Sequence, residues 1–332
     1  MNLGESDRIR QAEELAWQLE GLYLEPRQSA RAAPYLGGRR EALSRLEAFD
    51  VRGYASTRND VREERSGVSR LSPYIRHGVL GLREVAEAVR ERYGDHHDSR
   101  KFWAELGWRQ FWKLVHRAWG DAIYEPMEEA KVALGERPLP AELREGRTGL
   151  VCMDAAIRDL LETGYMHNHA RMWVASYVVH TCKVDWREGE RWFYQHLLDG
   201  DPASNALSWQ WIASTFSHKP YIFNRENVRK YSGDTFCASC SASCPFDADY
   251  PELEARLFAR PVPLGQAGRV AGLEQKGWQD LPLAQSGRSK AGGKTLVWLH
   301  GDSLSILDPA LQAYPEADRV LFLTRNCYRN AS

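Results

Sequence analysis

Apolar positions recur every three or four residues along most of this chain. Residues 5–24 carry Ile9, Ala12, Leu15, Ala16, Leu19, Leu22 and Tyr23 with charges between them, one face of an amphipathic helix. A Gly-, Pro- and Arg-rich stretch over 25–40 interrupts that pattern, and GGRREALSRLEAF restarts a helix near Arg39. Similar spacings follow in EVAEAVRERY, KFWAELGWRQFWKLVHRAW, CMDAAIRDLLETG, NHARMWVASYVVHT and GERWFYQHLL, up to about residue 215. No six-residue stretch of this region alternates like a strand, so the body is predicted to be mainly all-α, without an internal repeat. Composition changes after Phe258. Residues 260–293 are rich in Gly, Pro, Gln and Ser and read as a linker. KTLVWLHGDSL then reads as a strand, ALQAY as a short helix and RVLFLTRN as a second strand. Such a β-α-β fragment cannot cover both faces of a sheet by itself. The predicted organisation is an N-terminal helix and linker (1–36), a helical domain (37–259), a linker (260–293) and a small α/β fragment (294–332).

The 332 residues are 43% hydrophobic and 27% charged, the balance of a soluble globular protein and not of a disordered one. No apolar run approaches the roughly 18 residues that span a bilayer. The first residues lack the basic-then-apolar order of a secretion signal, so the expected location is cytoplasmic, with no membrane partner. A net charge of -1 means that any affinity for nucleic acid must come from a local patch. The stretch His218 to Lys230 offers one: Lys219, Arg225, Arg229 and Lys230 stand against Glu226. With Arg109 and Lys113 it would form a phosphate-binding face, and alone it would be a solvated basic helix end.

Six Cys form no regular disulfide framework, and three of them crowd together as Cys237, Cys240 and Cys244, followed by Pro245. In a reducing compartment such crowding favours metal or redox chemistry. Thiolates at this spacing can wrap one metal centre if a fourth ligand comes from elsewhere. An iron–sulfur cluster, zinc and buried free thiols all fit the spacing. Cys182 and Cys327 read as small core residues.

The block 164–224 is the richest in chemistry. It gathers Trp173, Trp186, Trp192, Trp209 and Trp211 with Asp199, Asp201, Asn168, Asn205 and Arg171. Bulky rings beside a few hydrogen-bonding groups suit a large aromatic cofactor or a flipped base; an aromatic helical core with capped ends would give the same composition. The order of residues goes further. Tyr165-Met166-His167-Asn168-His169-Ala170-Arg171-Met172, the run Asp185 to Phe193 (DWREGERWF) and the run Asp199 to Thr215 (DGDPASNALSWQWIAST) closely resemble the FAD-binding domain of the DNA photolyase/cryptochrome family. Val68-Ser69-Arg70-Leu71-Ser72-Pro73 and the helix from Glu105 to Phe111 match further motifs of that family, in the same order.

The resemblance implies FAD in a bent pose. Tyr54, Ser69, Arg70, Leu71 and Ser72 would hold its phosphates; Arg171 would pair with Asp199 beside the flavin; Asn168 and Asp201 would lie near it, and Asn205 would face flavin N5. Val68 replaces the usual Thr and removes one hydroxyl. Trp209 and Trp186 fall on the first two positions of the family's electron relay, and the absence of Trp between Trp119 and Trp173 leaves the third position open. Glu105, Trp108, Met172 and Trp211 match the residues around a flipped pyrimidine dimer, and Asn168 with Met172 fits a cyclobutane dimer. Arg109, His169, Lys219 and Arg225 are the expected DNA contacts. His169 replaces an Arg, exchanging a permanent charge for a pH-dependent one. Ala206-Leu207-Ser208 replaces Asn-Gly-Gly and would put a bulky side chain near the pocket.

The resemblance to the bacterial iron–sulfur photolyases extends to Cys244-Pro245-Phe246 and to Cys152 at a helix start. It implies a 4Fe–4S cluster on Cys152, Cys237, Cys240 and Cys244, with one gap shorter than usual. The C-terminal fragment is similar to the opening of the family's antenna domain and is too short for a complete one, so no antenna chromophore is expected. The implied activity is blue-light-driven repair of cyclobutane pyrimidine dimers in damaged DNA by electron transfer from reduced flavin. A cryptochrome-like photosensor without repair activity is the alternative.

Overall fold

The computed structural model describes residues 35–258, together with the backbone of 296–300 and 318–322. The expected helix over 5–24, the linker 260–293, the helix between the two terminal strands and Cys327 lie outside the described residues.

The helices start and stop where the chain chemistry dictates. After α1 (Arg39–Ala48) and α2 (Leu82–Tyr93) comes the long α3 (His97–Trp119), ended by Gly120 at positive φ. Then follow α4 (Val151–Thr163), α5 (Asn168–Ser176), α6 (Trp186–His196), α7 (Pro202–Ala213), α8 (Arg225–Ser232) and α9 (Tyr250–Leu257). Asp185, Asp201 and Asn224 cap α6, α7 and α8 by accepting from Arg187, Ser204 and Asn227 backbone N–H groups. Asp201 is followed by Pro202, whose fixed φ suits the first helical position. The polar residues of the DWR and DGDP motifs therefore double as helix starts. NHARMWVASYVVHT does not continue as one α-helix, because Tyr177–Thr181 forms a π-helical turn at its end.

Three apolar clusters hold the body together. The largest joins α4, α5, α6 and α7 through Met153, Ile157, Trp173, Val174, Trp192 and Trp209. A second packs α1, α2 and the first half of α3 around Leu46, Val85, Val89 and Phe102. A third seats Val115 of α3 against Ala206 and Leu207 of α7. Thus α3 contributes to two clusters and borders the largest one. Among the described residues no helix is long and apolar enough to cross a membrane. Within 35–258 the only extended pairing is an isolated bridge, Arg137 with Val184. Near the C-terminus β1 (Leu296–His300) and β2 (Asp318–Phe322) pair in parallel, with Leu296 opposite Asp318, as the β-α-β pattern requires.

Candidate functional site

A cavity of about 480 Å³ opens between α3, α5, α6 and α7. Each wall is one helical stripe. Glu105, Trp108, Arg109 and Trp112 come from α3; Asn168, Arg171, Met172 and Ala175 from α5; Ser204, Asn205, Ser208, Trp209, Trp211 and Ile212 from α7. Phe193 and Leu197 close the remaining side. In each of the three helices the stripe includes positions i, i+3, i+4 and i+7, so one face is turned inward.

The inner end is polar and buried. Arg171 donates from Nε to the Met166 carbonyl (2.8 Å) and from Nη2 to Asp199 Oδ2 (2.9 Å). Burial by itself would raise the Asp199 carboxyl, but Arg171 and the Ser72 hydroxyl outweigh it and hold the group below the ordinary carboxylate range. Asp201 behaves alike: burial opposes its charge, and Arg109, Lys113 and the Ser204 N–H restore it. Arg109 Nη2 lies 3.5 Å and Lys113 Nζ 3.9 Å from Asp201 Oδ2. Asp199 Oδ1 and the Nε and Nη2 atoms of Arg109 are buried without a hydrogen-bond partner. Buried polar atoms of this kind call for a hydrogen-bonding partner.

Asn205 is oriented by a residue that the sequence reading passed over. Its Nδ2 donates to the Glu190 carbonyl and to Glu190 Oε1, both at 2.8 Å, which leaves Oδ1 as its remaining acceptor. Glu190 is buried, and burial raises its carboxyl to about 7 against the pull of Asn205 and Arg191. The signal was present: Glu190 is the only acid facing inward from the amphipathic α6, whose other buried residues are Trp186, Gly189, Trp192 and Phe193. Gly189 has an equally local reason. A Cβ there would meet the Trp209 ring at 2.2 Å. Gly189→Ala is therefore expected to displace Trp209 and destabilise the fold by about 1–3 kcal/mol, read by urea unfolding and by Trp fluorescence.

At the mouth, Trp108 and Trp211 are exposed, while Glu105 is held by Lys101 Nζ at 2.6 Å and by Arg58 Nε at 3.7 Å. Met172 lines the wall between them and the polar end. Trp209 lines the cavity and meets Phe193 edge-on at 5.0 Å. Trp186 is buried outside the lining, with the Arg187 guanidinium 5.0 Å from its ring centroid.

Several expected residues stand elsewhere. Of the proposed phosphate set, Ser72 reaches the cavity. Tyr54 and Leu71 are buried in the second apolar cluster, Tyr54 edge-on to Phe102 at 5.3 Å. Ser69 Oγ accepts from the Leu71 N–H, and Arg70, at φ 53°, donates to Glu63 (3.0 Å) with its guanidinium 5.9 Å from the Tyr165 ring that lines the cavity. Leu207 is fully buried against Val115 and Ile123, facing away from the cavity, and Ser208 takes the inward position. His169 is 5% exposed, packed on Trp173 and Tyr231, and burial drives its ring down to about 4. A neutral buried imidazole does not grip phosphate. Arg109 likewise turns to Asp201, not outward. Lys219 is exposed, and Ser217 Oγ ties its carbonyl to that of Trp211.

A second cavity, of about 420 Å³, is lined by Cys152, Cys237, Cys240, Cys244 and Arg225. The sequence separates Cys152 from the others by 85 residues or more, and the fold brings all four to one space. Burial pushes the Cys152 thiol up to about 12, and the other three cysteines add to the rise. Among the described residues, no three Cys, His, Asp or Glu side chains converge on a single ion-sized point. The cysteines surround a volume.

Comparison with known proteins decides the fold's kinship. The family model described as the FAD binding domain of DNA photolyase matches residues 102–248, the segment that supplies nearly the whole cavity. Over these residues the helical body is similar to the FAD-binding domain of the photolyases. The chain is 36% identical over 202 residues to a deoxyribodipyrimidine photo-lyase of Alkalihalophilus pseudofirmus, covering 56% of this chain and 40% of that one. It superposes on a class III photolyase from Agrobacterium tumefaciens with a TM-score of 0.54 and 28% identity, covering 70% of this chain and 46% of the other. A Synechocystis cryptochrome shares the fold at TM-score 0.54 and 24% identity, covering 60% and 44%. The chain spans less than half the length of this curated relative and of both solved structures.

Proposed function

We propose that this chain is a light-driven DNA repair lyase, holding FAD in the cavity between α3, α5, α6 and α7 and splitting cyclobutane pyrimidine dimers drawn into its mouth. The observation that carries this reading is the polarity gradient of one cavity. Asp199 Oδ1 and the Nε of Arg109, both without a hydrogen-bond partner, lie at the inner end, and exposed Trp108 and Trp211 stand at the opening.

The residues fit a flavin dinucleotide. Arg109 offers N–H donors to an anionic or carbonyl oxygen, Asp199 and Asp201 accept from ring or ribose donors, and the walls are apolar and aromatic. Bound reduced flavin would supply, on absorbing blue light, the electron that opens the cyclobutane ring and is then returned. The protein's part is to bind and orient. Arg171 keeps Asp199 ionised; Glu190 fixes the Asn205 amide so that Oδ1 is the acceptor it can present; Trp108 and Trp211 offer flat surfaces for stacking. Glu105 is an ion-paired carboxylate here and is assigned as a hydrogen-bond acceptor for the base edge, in place of the acid that a protonated side chain would be. Lys219, beside Trp211, is assigned to a DNA phosphate.

We also propose a 4Fe–4S cluster on Cys152, Cys237, Cys240 and Cys244. A cluster fills a volume between four thiolates, whereas zinc needs four ligands about 2.3 Å from one point. A reducing cytoplasm would suit these thiolates. The bulky side chain expected near the pocket does not obstruct a lesion, since Leu207 packs away from the cavity.

The lesion-site assignment is tested by binding. Holoprotein is expected to prefer an oligonucleotide with one thymine dimer over the undamaged one, and Trp108→Ala to weaken lesion binding at least tenfold while leaving binding to undamaged DNA within twofold. Equal affinity of the wild type for both oligonucleotides would contradict the reading.

A further inference from the structure

The basic residue Arg225 was expected on the DNA face, yet its surroundings point inward. It is the first residue of α8, and its backbone N–H donates to the Phe246 carbonyl (2.8 Å), tying the helix start to the Cys-Pro-Phe loop. Its Nη1 donates to Asp247 Oδ2 at 2.7 Å, and its guanidinium charge is felt by the Cys237 thiol. Arg225 and Asp247 both line the four-cysteine cavity.

We infer that Arg225 and Asp247 form an opposed charge pair that sets the reduction potential of the centre held by the cysteines. The inference rests on the 4Fe–4S reading. A cluster gains negative charge on reduction, so a guanidinium lining the same cavity stabilises the reduced form and raises the potential, and a nearby carboxylate lowers it. Both side chains are partly exposed, 38% for Arg225 and 59% for Asp247, so solvent screens the pair and the expected shifts are modest and opposite in sign. Arg225 is a positioning and tuning residue in this account, with no part in gripping DNA.

The test is an anaerobic redox titration of the full chain, followed by the EPR signal of the centre, with iron and acid-labile sulfide measured on the same samples. Arg225→Met is expected to lower the midpoint potential, Arg225→Lys to lower it less, and Asp247→Asn to raise it. All three are expected to keep the wild-type iron and sulfide content and the wild-type affinity for undamaged DNA. Opposite signs for the two partners are what a merely structural role would not produce. Wild-type potentials in all three variants, or shifts of the same sign for Arg225→Met and Asp247→Asn, would overturn the inference while leaving the cluster in place. Loss of iron from all three variants would mark the pair as structural support and also overturn it. Wild-type protein without iron and sulfide would overturn the cluster reading itself.

Discussion

Asp199→Ala is expected to abolish FAD retention and to destabilise the protein by about 3–5 kcal/mol. The reason is local. Arg171 donates to the Met166 carbonyl and to Asp199, at a place where both side chains are largely removed from water. Removing the carboxylate leaves a buried guanidinium facing a cavity, the arrangement in which one partner's loss is most damaging. It also removes Oδ1, the unpartnered acceptor assigned to the cofactor. Asp199→Asn keeps the shape and a hydrogen-bond acceptor and is expected to recover part of the stability but little of the flavin. Urea unfolding of the apoprotein and the flavin-to-protein absorbance ratio read the two effects separately. Flavin retained by Asp199→Ala at the wild-type ratio would remove Asp199 from the site.

The second large effect concerns Glu190. Burial raises its carboxyl from the ordinary 4.5 to about 7. The folded state therefore favours the protonated acid. That contribution is fully present below about pH 4.5 and is lost as pH rises through 7, a swing of about 3 kcal/mol. Glu190→Gln keeps an acceptor for Asn205 Nδ2 and cannot ionise. In the apoprotein it is expected to be more stable than wild type by about 3 kcal/mol at pH 8 and by less than about 1 kcal/mol at pH 5. The difference between the two proteins is the quantity to read. Three histidines act in the opposite sense in both: His167, His169 and His180 are each depressed from 6.5 to about 4, so their contribution is present above pH 6.5 and fades as pH falls. A Glu190→Gln difference that does not change with pH would show that Glu190 titrates as an ordinary exposed acid.

Much of this site is legible in the sequence because its motifs coincide with helix starts and helix stripes. Asp185, Asp201 and Asn224 announce three helix starts, and Glu105, Trp108, Arg171, Met172, Asn205 and Trp211 meet in the cavity that the family resemblance implies. The errors came from reading residues by type without helical phase. Arg109 lies four positions after Glu105 and next to Trp108 on the inward stripe of α3, so it turns to Asp201. His169 lies four positions before Trp173, nearly opposite Arg171 on α5, and goes into the core. Leu207 belongs with Ala206 on the outer side of α7. Phase would have placed Arg109, while His169 and Leu207 sit at the edges of their stripes, where packing against Tyr231 and Val115 decides. What phase cannot supply is the meeting of Cys152 with Cys237, Cys240 and Cys244, or of Glu190 with Asn205. These depend on how α4 packs near the loop before α9 and how α6 packs on α7.

The most direct measurement is repair itself. Photoreduced holoprotein, purified without oxygen, is mixed with an oligonucleotide carrying one thymine cyclobutane dimer, and dimer loss is followed under blue light and in darkness. Multiple turnovers in light and none in darkness are the predicted result. Bound reduced flavin at one per chain with no dimer loss in light would contradict the lyase reading and leave light sensing as the function of this domain.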